Sequence, residues 1–210
     1  MKSVKLHVTD LDSFSWYQKL DNMTDEEMRN RLLRLEPAKE IMNMGTAWHS
    51  VMEEATKWHS IVNIPFSVFT KAMKGGFTFH IECDSEIVLP QVCEIRAQKV
   101  YCVDGYQVTL TGKTDGITGN KIDDHKLTFN PQPENYLEAF QWRAYLDIFN
   151  ADIFEYIIYS AKQDEKSITI YDISKIKLYR YPKMINDIET GIRNLLEFVK
   201  NRVPEMIERN

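Results

Sequence analysis

Residues 106–129 read YQVTLTGKTDGITGNKIDDHKLTF, and this stretch decides the fold of the middle of the chain. On both sides of Gly119-Asn120 the sequence is rich in β-branched and aromatic residues, which predicts one strand over 106–117 and a second over 121–129. Glycine and asparagine tolerate the positive φ angles that a two-residue hairpin turn requires. We therefore predict that the two strands form an antiparallel hairpin about this turn.

The register of the hairpin brings two carboxylates together. Counting outward from the turn places Asp115 directly opposite Asp124, and Lys113 opposite Lys126. Because side chains alternate between the faces of a strand, Asp115, Asp124 and Lys126 share one face. Asp123 falls on the opposite face and is left out of the candidate site. That opposite face is expected to face the core through Leu110, Leu127 and Phe129.

The two opposed aspartates are expected to repel each other. Like charges directly across a sheet, with Cβ atoms roughly 5 Å apart, destabilise it, and a divalent cation between them would reverse that effect. Oxygen ligands of this kind suit magnesium or manganese better than zinc. Lys126 could hold the attacking water or the scissile phosphate beside such an ion. The alternative is equally open at this point: aspartates near a turn and a lysine on a strand are ordinary surface chemistry.

The remaining sequence predicts a single domain over residues 1–210, because it contains no internal repeat and no flexible linker. Thr24 to Glu27 form a capping box that opens a helix. Helices flanking a sheet of α/β or α+β type are the expected architecture. The predicted helices cover 24–35, 37–59, 134–149 and 182–203, and the further strands cover 77–83, 86–89, 94–103, 153–160 and 167–173.

Composition narrows the function classes. No apolar run approaches the ~20 residues of a membrane span, and the first residues lack the apolar centre of a secretory signal, so we expect a soluble, cytoplasmic protein. The net charge of −5 gives no overall attraction to phosphate, which counts mildly against a nucleic-acid partner. Cys83, Cys93 and Cys102 suit neither a disulfide framework nor a zinc site.

Two helical motifs flank the hairpin. Gly45, His49 and Glu53 are spaced four apart and stack along one side of a helix, where glycine allows close approach to another backbone and the other two could ligate a metal. Taken alone, a buried histidine bonded to a neighbouring glutamate is the better interpretation. Gln141 and Tyr145 likewise share a helical face, and Tyr145 alone is better explained as core.

The order of these motifs resembles the RecB-type branch of the PD-(D/E)XK nucleases. The resemblance spans about 45–145 and consists of a GxxxH helix (45–49), an aspartate after a glycine (112–115), a D-x-K strand (124–126) and a QxxxY helix (141–145). It implies a restriction-endonuclease-like mixed sheet flanked by helices. Lys126 would be the catalytic lysine, and Gln141 and Tyr145 would lie near the active site and the DNA. The implied metal ligands are His49, Asp115, Asp124 and the main-chain carbonyl of His125, with Glu53 as an optional addition.

The resemblance also implies a function. It points to a magnesium-dependent DNA nuclease, with manganese possible and an exonuclease favoured over an endonuclease, similar to phage or prophage enzymes that resect linear DNA in recombination or repair. Implied partners are DNA, further copies of the chain and a single-strand-annealing recombination protein, in a bacterial or phage-infected cell. No cysteine follows Cys102, so no iron–sulfur cluster is expected. The alternatives are an inactive nucleic-acid-binding module of the same fold and a metal-dependent hydrolase of small phosphodiesters.

One further stretch could contact DNA. Residues 162–183 interleave lysines and an arginine with tyrosines, a composition that can follow a nucleic-acid backbone. Acidic residues within it dilute the charge. An ordinary solvated face explains the stretch equally well.

Overall fold

The structure is a computed structural model that describes residues 2–20, 23–37, 39–62, 71–83, 87 and 89–208. Within these residues the chain forms six α-helices and nine strands. The helices are α1 (Val8–Lys19), α2 (Asp25–Leu32), α3 (Glu40–Val62), α4 (Pro133–Glu138), α5 (Phe140–Ile148) and α6 (Met184–Arg202). The strands are β1 (Lys2–His7), β2 (Lys71–Lys74), β3 (Phe77–Ile81), β4 (Val92–Val103), β5 (Tyr106–Thr118), β6 (Lys121–Thr128), β7 (Ile153–Asp164), β8 (Ser167–Tyr179) and β9 (Ile207–Glu208).

All nine described strands belong to one mixed sheet. Its order is β2-β3-β8-β7-β6-β5-β1-β9, and β4 pairs with β5 off this path. The pairs β1/β5, β3/β8 and β6/β7 are parallel, whereas the others are antiparallel. The predicted fold class, a mixed sheet flanked by helices, is confirmed. No helix in the described ranges is both long enough and apolar enough to cross a membrane.

The helices cover the sheet with two separate cores. On one side α1, α5 and α6 pack on the sheet, and the predicted apolar face of α6 is fully buried there through Ile188, Ile192, Leu195 and Val199. On the other side α3 packs through Trp48, whose ring centroid lies 5.3 Å from that of Phe79 and 4.8 Å from that of Tyr159. The sheet is therefore buried on both faces where these helices lie.

The predicted helix over 134–149 is wrong in one respect, because the chain breaks at Ala139 into α4 and α5. Ala139 is extended, with φ −58° and ψ 141°. Leu137 in α4 is exposed and does not belong to an apolar stripe. The physical reason is distant in sequence: the Asp12 carboxylate of α1 accepts hydrogen bonds from the backbone N–H groups of Phe140 (2.5 Å) and Gln141 (3.3 Å), which caps a new helix.

Other boundaries differ by smaller amounts. The capping box at Thr24 is present, but α2 ends at Leu32 and not at Leu35. Helix α3 begins at Glu40 and not at Pro37. Ile87 and Leu89, from the predicted strand over 86–89, are not in a strand, and residues 86 and 88 lie outside the described residues. The sequence patterns did not predict β1, α1 or β2.

Candidate active site

The hairpin has the predicted register close to its turn. Gly119 has a φ of 57°, as a two-residue turn requires. Paired residues are Thr118 with Lys121, Ile117 with Ile122, and Gly116 with Asp123. The ladder ends there, and beyond it the Asp115 Oδ2 atom accepts the backbone N–H of His125 at 2.8 Å. The predicted pairings of Asp115 with Asp124 and of Lys113 with Lys126 are not part of the ladder, and the Lys113 side chain forms an ion pair with Glu94 of β4.

The predicted apolar face of the hairpin is wrong. Leu110 packs in the core beneath α1, α5 and α6, whereas Leu127 and Phe129 pack against the core beneath α3. Simple alternation fails because β5 is irregular near Asp115, where the Thr114 hydroxyl bonds to both the N–H (3.1 Å) and the carbonyl (2.9 Å) of Gly116. The two strands thus separate where the aspartates lie.

The GxxxH helix contributes His49 to Asp115. Its Nδ1 atom lies 3.0 Å from Asp115 Oδ1, so both oxygens of this carboxylate are engaged. Burial raises the pKa of Asp115. The hydrogen bond and charge of His49, together with the charge of Lys126, lower this pKa by more than burial raises it, so the net shift is downward. Burial lowers the pKa of His49, and Asp115 more than compensates, so its net shift is upward.

The D-x-K strand and the QxxxY helix meet at Asp124, which is 2% exposed. Its Oδ1 atom accepts a hydrogen bond from Gln141 Nε2 at 2.8 Å, and its Oδ2 atom lies 2.8 Å from Lys126 Nζ. Burial and the charge of Asp115 raise the pKa of Asp124 against the opposing effect of Lys126. Burial lowers the pKa of Lys126, but Asp124 and Asp115 raise it more strongly, so this lysine is a stable cation.

Tyr145 holds α5 close to β5. Its hydroxyl donates to the Lys113 carbonyl at 2.8 Å, and its ring is buried in the core. A Cβ atom at Gly112 would lie 2.5 Å from Tyr145 Cε1, so the glycine before the aspartate makes room for the helix. The close approach predicted for Gly45 is not found among the described residues: apart from the neighbouring backbone of α3, none of their atoms lies within 4 Å of where its Cβ would be.

Three polar residues near the site have other partners. The His125 imidazole turns away from Asp124 and lies 2.9 Å from the Tyr159 hydroxyl, and burial lowers its pKa to about 4. Asp123 forms an ion pair with Lys121 at 2.6 Å. Glu53 forms one with Lys57 at 2.5 Å. The imidazole of His125 and the carboxylate of Asp123 thus lie apart from the candidate site, as the alternation of side chains predicted.

The side chains that come together at the candidate site are a carboxylate pair and a neighbouring histidine. In the described part of the chain no three His, Cys, Asp or Glu side chains converge as a ready-made metal site. Instead, the His49 imidazole lies next to Asp115 and the Lys126 ammonium lies next to Asp124. Carboxylate oxygens have further lone pairs beyond these contacts. The predicted ligand set, including the His125 carbonyl and Glu53, stays a prediction.

Sequence reasoning missed Asp12. This carboxylate caps α5 and interacts with the charge of Lys126. Burial raises the pKa of Asp12 to about 6, although the hydrogen bond from the Phe140 N–H and the charge of Lys126 lower it. Asp12 precedes Phe140 by 128 residues, so no local signal could have identified it.

The basic and aromatic stretch over 162–183 is largely exposed. Tyr171 and Tyr179 are 43% and 57% exposed, and Lys162 lies over the Tyr171 ring at 5.2 Å. Two of its lysines form ion pairs, Lys166 with Glu40 and Lys177 with Glu155. Its contact with DNA stays a prediction.

The chain combines a mixed sheet and flanking helices with an aspartate on one strand of a hairpin and a D-x-K sequence on the next strand. Together these features characterise one fold class. The chain has a PD-(D/E)XK nuclease-like fold.

Several solved structures are similar to the chain over most of its length. SSO0001 has a TM-score of 0.51 and 13% identity, covering 91% of this chain and 76% of its own. A provisionally assigned exonuclease from Eubacterium rectale has a TM-score of 0.51 and 8% identity, covering 96% and 82%. The alkaline exonuclease LHK-Exo from Laribacter hongkongensis has a TM-score of 0.48 and 13% identity, covering 96% and 89%. No protein-family model and no curated protein matches the sequence.

Proposed function

We propose that this chain is a magnesium-dependent nuclease that hydrolyses DNA phosphodiester bonds from the ends of linear molecules. The observation that carries the proposal is a set of contacts in which four predicted motifs meet. His49 of α3 contacts Asp115 of β5, and Gln141 of α5 and Lys126 of β6 both contact Asp124. These contacts bring the four motifs to two neighbouring carboxylates, of which Asp124 is buried and the Asp115 side chain is 12% exposed.

The carboxylate pair fits a divalent cation. The Asp124 Oδ2 atom is buried and, although it lies 2.8 Å from the Lys126 ammonium, accepts no well-directed hydrogen bond from any described residue. A cation at the pair would offset both the burial of Asp124 and its repulsion by Asp115, and oxygen donors favour magnesium or manganese. His49, the His125 carbonyl and Glu53 are the further ligands we propose. When bound, magnesium polarises the phosphate and makes water a stronger nucleophile at neutral pH.

The protein groups around the pair supply orientation and charge. Lys126 keeps its proton beside Asp124, so that it can bind a phosphate oxygen and orient the attacking water. Gln141 fixes the rotation of the Asp124 carboxylate by donating to Oδ1. His49 holds Asp115 through Nδ1, which leaves Nε2 as the ring nitrogen able to act as a ligand.

An exonuclease is the proposed form of this activity. The Eubacterium rectale protein of the same fold is described as a provisionally assigned exonuclease, which supports cleavage from ends. The order of the motifs extends the proposal to the resection of linear DNA in recombination or repair, in the cytoplasm of a bacterial or phage-infected cell. Assembly with further copies of the chain and with a single-strand-annealing protein belongs to the same proposal.

The test is incubation of the purified chain with linear duplex, circular duplex and single-stranded DNA, in magnesium, in manganese and in EDTA. We expect metal-dependent loss of linear DNA while circular DNA survives, and no loss with Asp115→Asn. Cleavage of circular duplex would contradict the end preference. No cleavage of any nucleic acid, with binding retained, would identify an inactive binding module. Turnover of bis(p-nitrophenyl) phosphate alone would identify a hydrolase of small phosphodiesters.

A further inference from the structure

The hydrogen-bonded ladder between β5 and β6 ends at Gly116 and Asp123, just before the two carboxylates of the candidate site. Beyond that point β6 continues to pair with β7 on its other side. Across the gap to β5, the backbone N–H of His125 donates to Asp115 Oδ2 at 2.8 Å. The position of the backbone at residue 125 therefore affects the separation of Asp115 from Asp124.

The imidazole of His125 points into the core beneath α3. It is 1% exposed, and its Nδ1 atom lies 2.9 Å from the hydroxyl of Tyr159 on β7, with the two ring centroids 5.7 Å apart. The other ring nitrogen, Nε2, is buried and has no hydrogen-bond partner among the described residues. Within the described chain, the bond to Tyr159 is thus the polar contact that fixes the rotation of this ring.

Tyr159 connects His125 to α3. Its ring meets the indole of Trp48 edge-to-face, with centroids 4.8 Å apart and an interplanar angle of 68°, and both side chains are fully buried. Trp48 directly precedes His49, whose Nδ1 atom lies 3.0 Å from Asp115 Oδ1. The contacts close a ring, which runs in the order Trp48, Tyr159, His125, Asp115 and His49. Helix α3 thus holds the hairpin at two points, one at each oxygen of the Asp115 carboxylate.

We propose that His125 is a positioning residue for the divalent cation of the candidate site. Its imidazole, anchored through Tyr159, keeps the backbone N–H on Asp115 and so sets the distance between the two carboxylates. The inference rests on the proposed nuclease function and extends it to the choice of metal. Magnesium needs near-ideal octahedral ligands at about 2.0–2.1 Å, whereas calcium accepts flexible ligands at about 2.3–2.6 Å. A carboxylate pair held at a fixed distance therefore favours magnesium over calcium.

The binding test measures the affinities for Mg²⁺ and Ca²⁺ by isothermal titration in the absence of DNA. Tyr159→Phe removes the hydroxyl and keeps the ring, so it loses the bond to His125 and little packing. The matched control is Tyr101→Phe, which removes another buried tyrosine hydroxyl of the sheet, bonded at 2.6 Å to Asp147, a residue outside the candidate site. Both variants lose one buried hydrogen bond, so both should lower the midpoint of urea unfolding by similar amounts.

We expect Tyr159→Phe to bind Mg²⁺ about tenfold more weakly than wild type, because the residues that orient metal ligands typically contribute at least this factor to metal affinity. The affinity for Ca²⁺ should change by less than about threefold, since calcium tolerates a looser site. Tyr101→Phe should keep both wild-type affinities. A role in stability alone would lower the urea midpoint of Tyr159→Phe and leave the ratio of the two affinities unchanged, and that result would overturn the proposal.

A double-mutant cycle tests whether His125 and Tyr159 act together. His125→Phe keeps an aromatic ring and the backbone N–H but loses the bond to Tyr159, so it should also weaken Mg²⁺ binding about tenfold. His125→Asn keeps a polar atom near the place of Nδ1 and should recover most of the affinity. The double variant His125→Phe/Tyr159→Phe should lose about tenfold rather than about a hundredfold. Losses that multiply would show independent effects and would overturn the proposal.

Cleavage of linear duplex DNA at a series of Mg²⁺ concentrations separates this inference from the nuclease function. In Tyr159→Phe the concentration for half-maximal cleavage should rise about tenfold, while kcat at saturating Mg²⁺ stays within about twofold of wild type. Asp115-dependent Mg²⁺ binding that is unchanged in Tyr159→Phe would overturn the positioning role and keep the nuclease. A weakened Mg²⁺ affinity without cleavage of any nucleic acid would refute the nuclease and keep the positioning role. Absence of Mg²⁺ binding by wild type would overturn both.

Discussion

Gly112→Ala is predicted to disturb the contact between α5 and β5. The new Cβ atom would lie 2.5 Å from Tyr145 Cε1, 2.9 Å from Tyr145 Cδ1 and 3.3 Å from Val8 Cγ2. The ring has little freedom to move, because it is buried and its hydroxyl is bonded to the Lys113 carbonyl. Overpacking costs about 1–3 kcal/mol, and alanine in a strand recovers about 0.5–1 kcal/mol relative to glycine. Because the contact is as short as 2.5 Å, the overpacking cost falls in the upper half of its range, and we expect a net loss of about 1–2.5 kcal/mol in the free energy of unfolding.

The assay is equilibrium urea unfolding followed by circular dichroism, with Gly45→Ala as the matched control. Gly45 is the glycine of the other motif, its Cβ position is open and it lies inside α3, so alanine should stabilise the fold by up to about 1 kcal/mol. Adding Tyr145→Leu should remove most of the cost of Gly112→Ala, because the clashing ring is gone. An unchanged urea midpoint for Gly112→Ala would refute the reasoning.

Three further predictions concern groups around the site. Asp12→Ala should lower the free energy of unfolding by about 0.5–2 kcal/mol through loss of the α5 cap, whereas Asp12→Asn keeps an acceptor and should cost less; urea unfolding checks both. Burial raises the pKa of Asp12 to about 6, so the folded state holds this proton more tightly than the unfolded state does. The free energy of unfolding of the wild type, relative to Asp12→Asn, should therefore fall by roughly 1–3 kcal/mol as the pH rises from about 4 to 6. Parallel curves of stability against pH for the two proteins would contradict this. Gln141→Ala should lower kcat for DNA cleavage more than it changes the urea midpoint, because its amide orients Asp124.

The hairpin shows what local sequence can predict. A two-residue turn and flanking β-branched residues determine the pairing near Gly119, and that pairing was predicted correctly. The same counting failed farther out at Leu110, because Thr114 bonds to the backbone of Gly116 and the strands separate. Regular alternation holds only where the ladder is intact, and the site lies where it ends.

Contacts between residues distant in sequence explain the other features that the sequence did not predict. The break before α5 depends on Asp12, and β1 is a short, partly polar strand whose parallel partner begins at Tyr106. Two glycines in similar motif positions also differ: Gly112 is packed against a ring and Gly45 is open. Only the tertiary structure distinguishes them. The motif order also predicts one site from His49, Asp115, Asp124 and Gln141. The fold links these residues through a chain of contacts, and their shared role stays a prediction.

The most direct test of the account is the cleavage of linear duplex DNA in magnesium by Lys126→Ala and by its matched control Lys113→Ala. Both lysines lie on the hairpin strands, but Lys126 contacts Asp124 whereas Lys113 pairs with Glu94. We expect Lys126→Ala to reduce cleavage by a factor on the order of 10²–10³ with its fold intact, and Lys113→Ala to remain close to wild type. Unchanged cleavage by a folded Lys126→Ala protein would contradict the proposed active site.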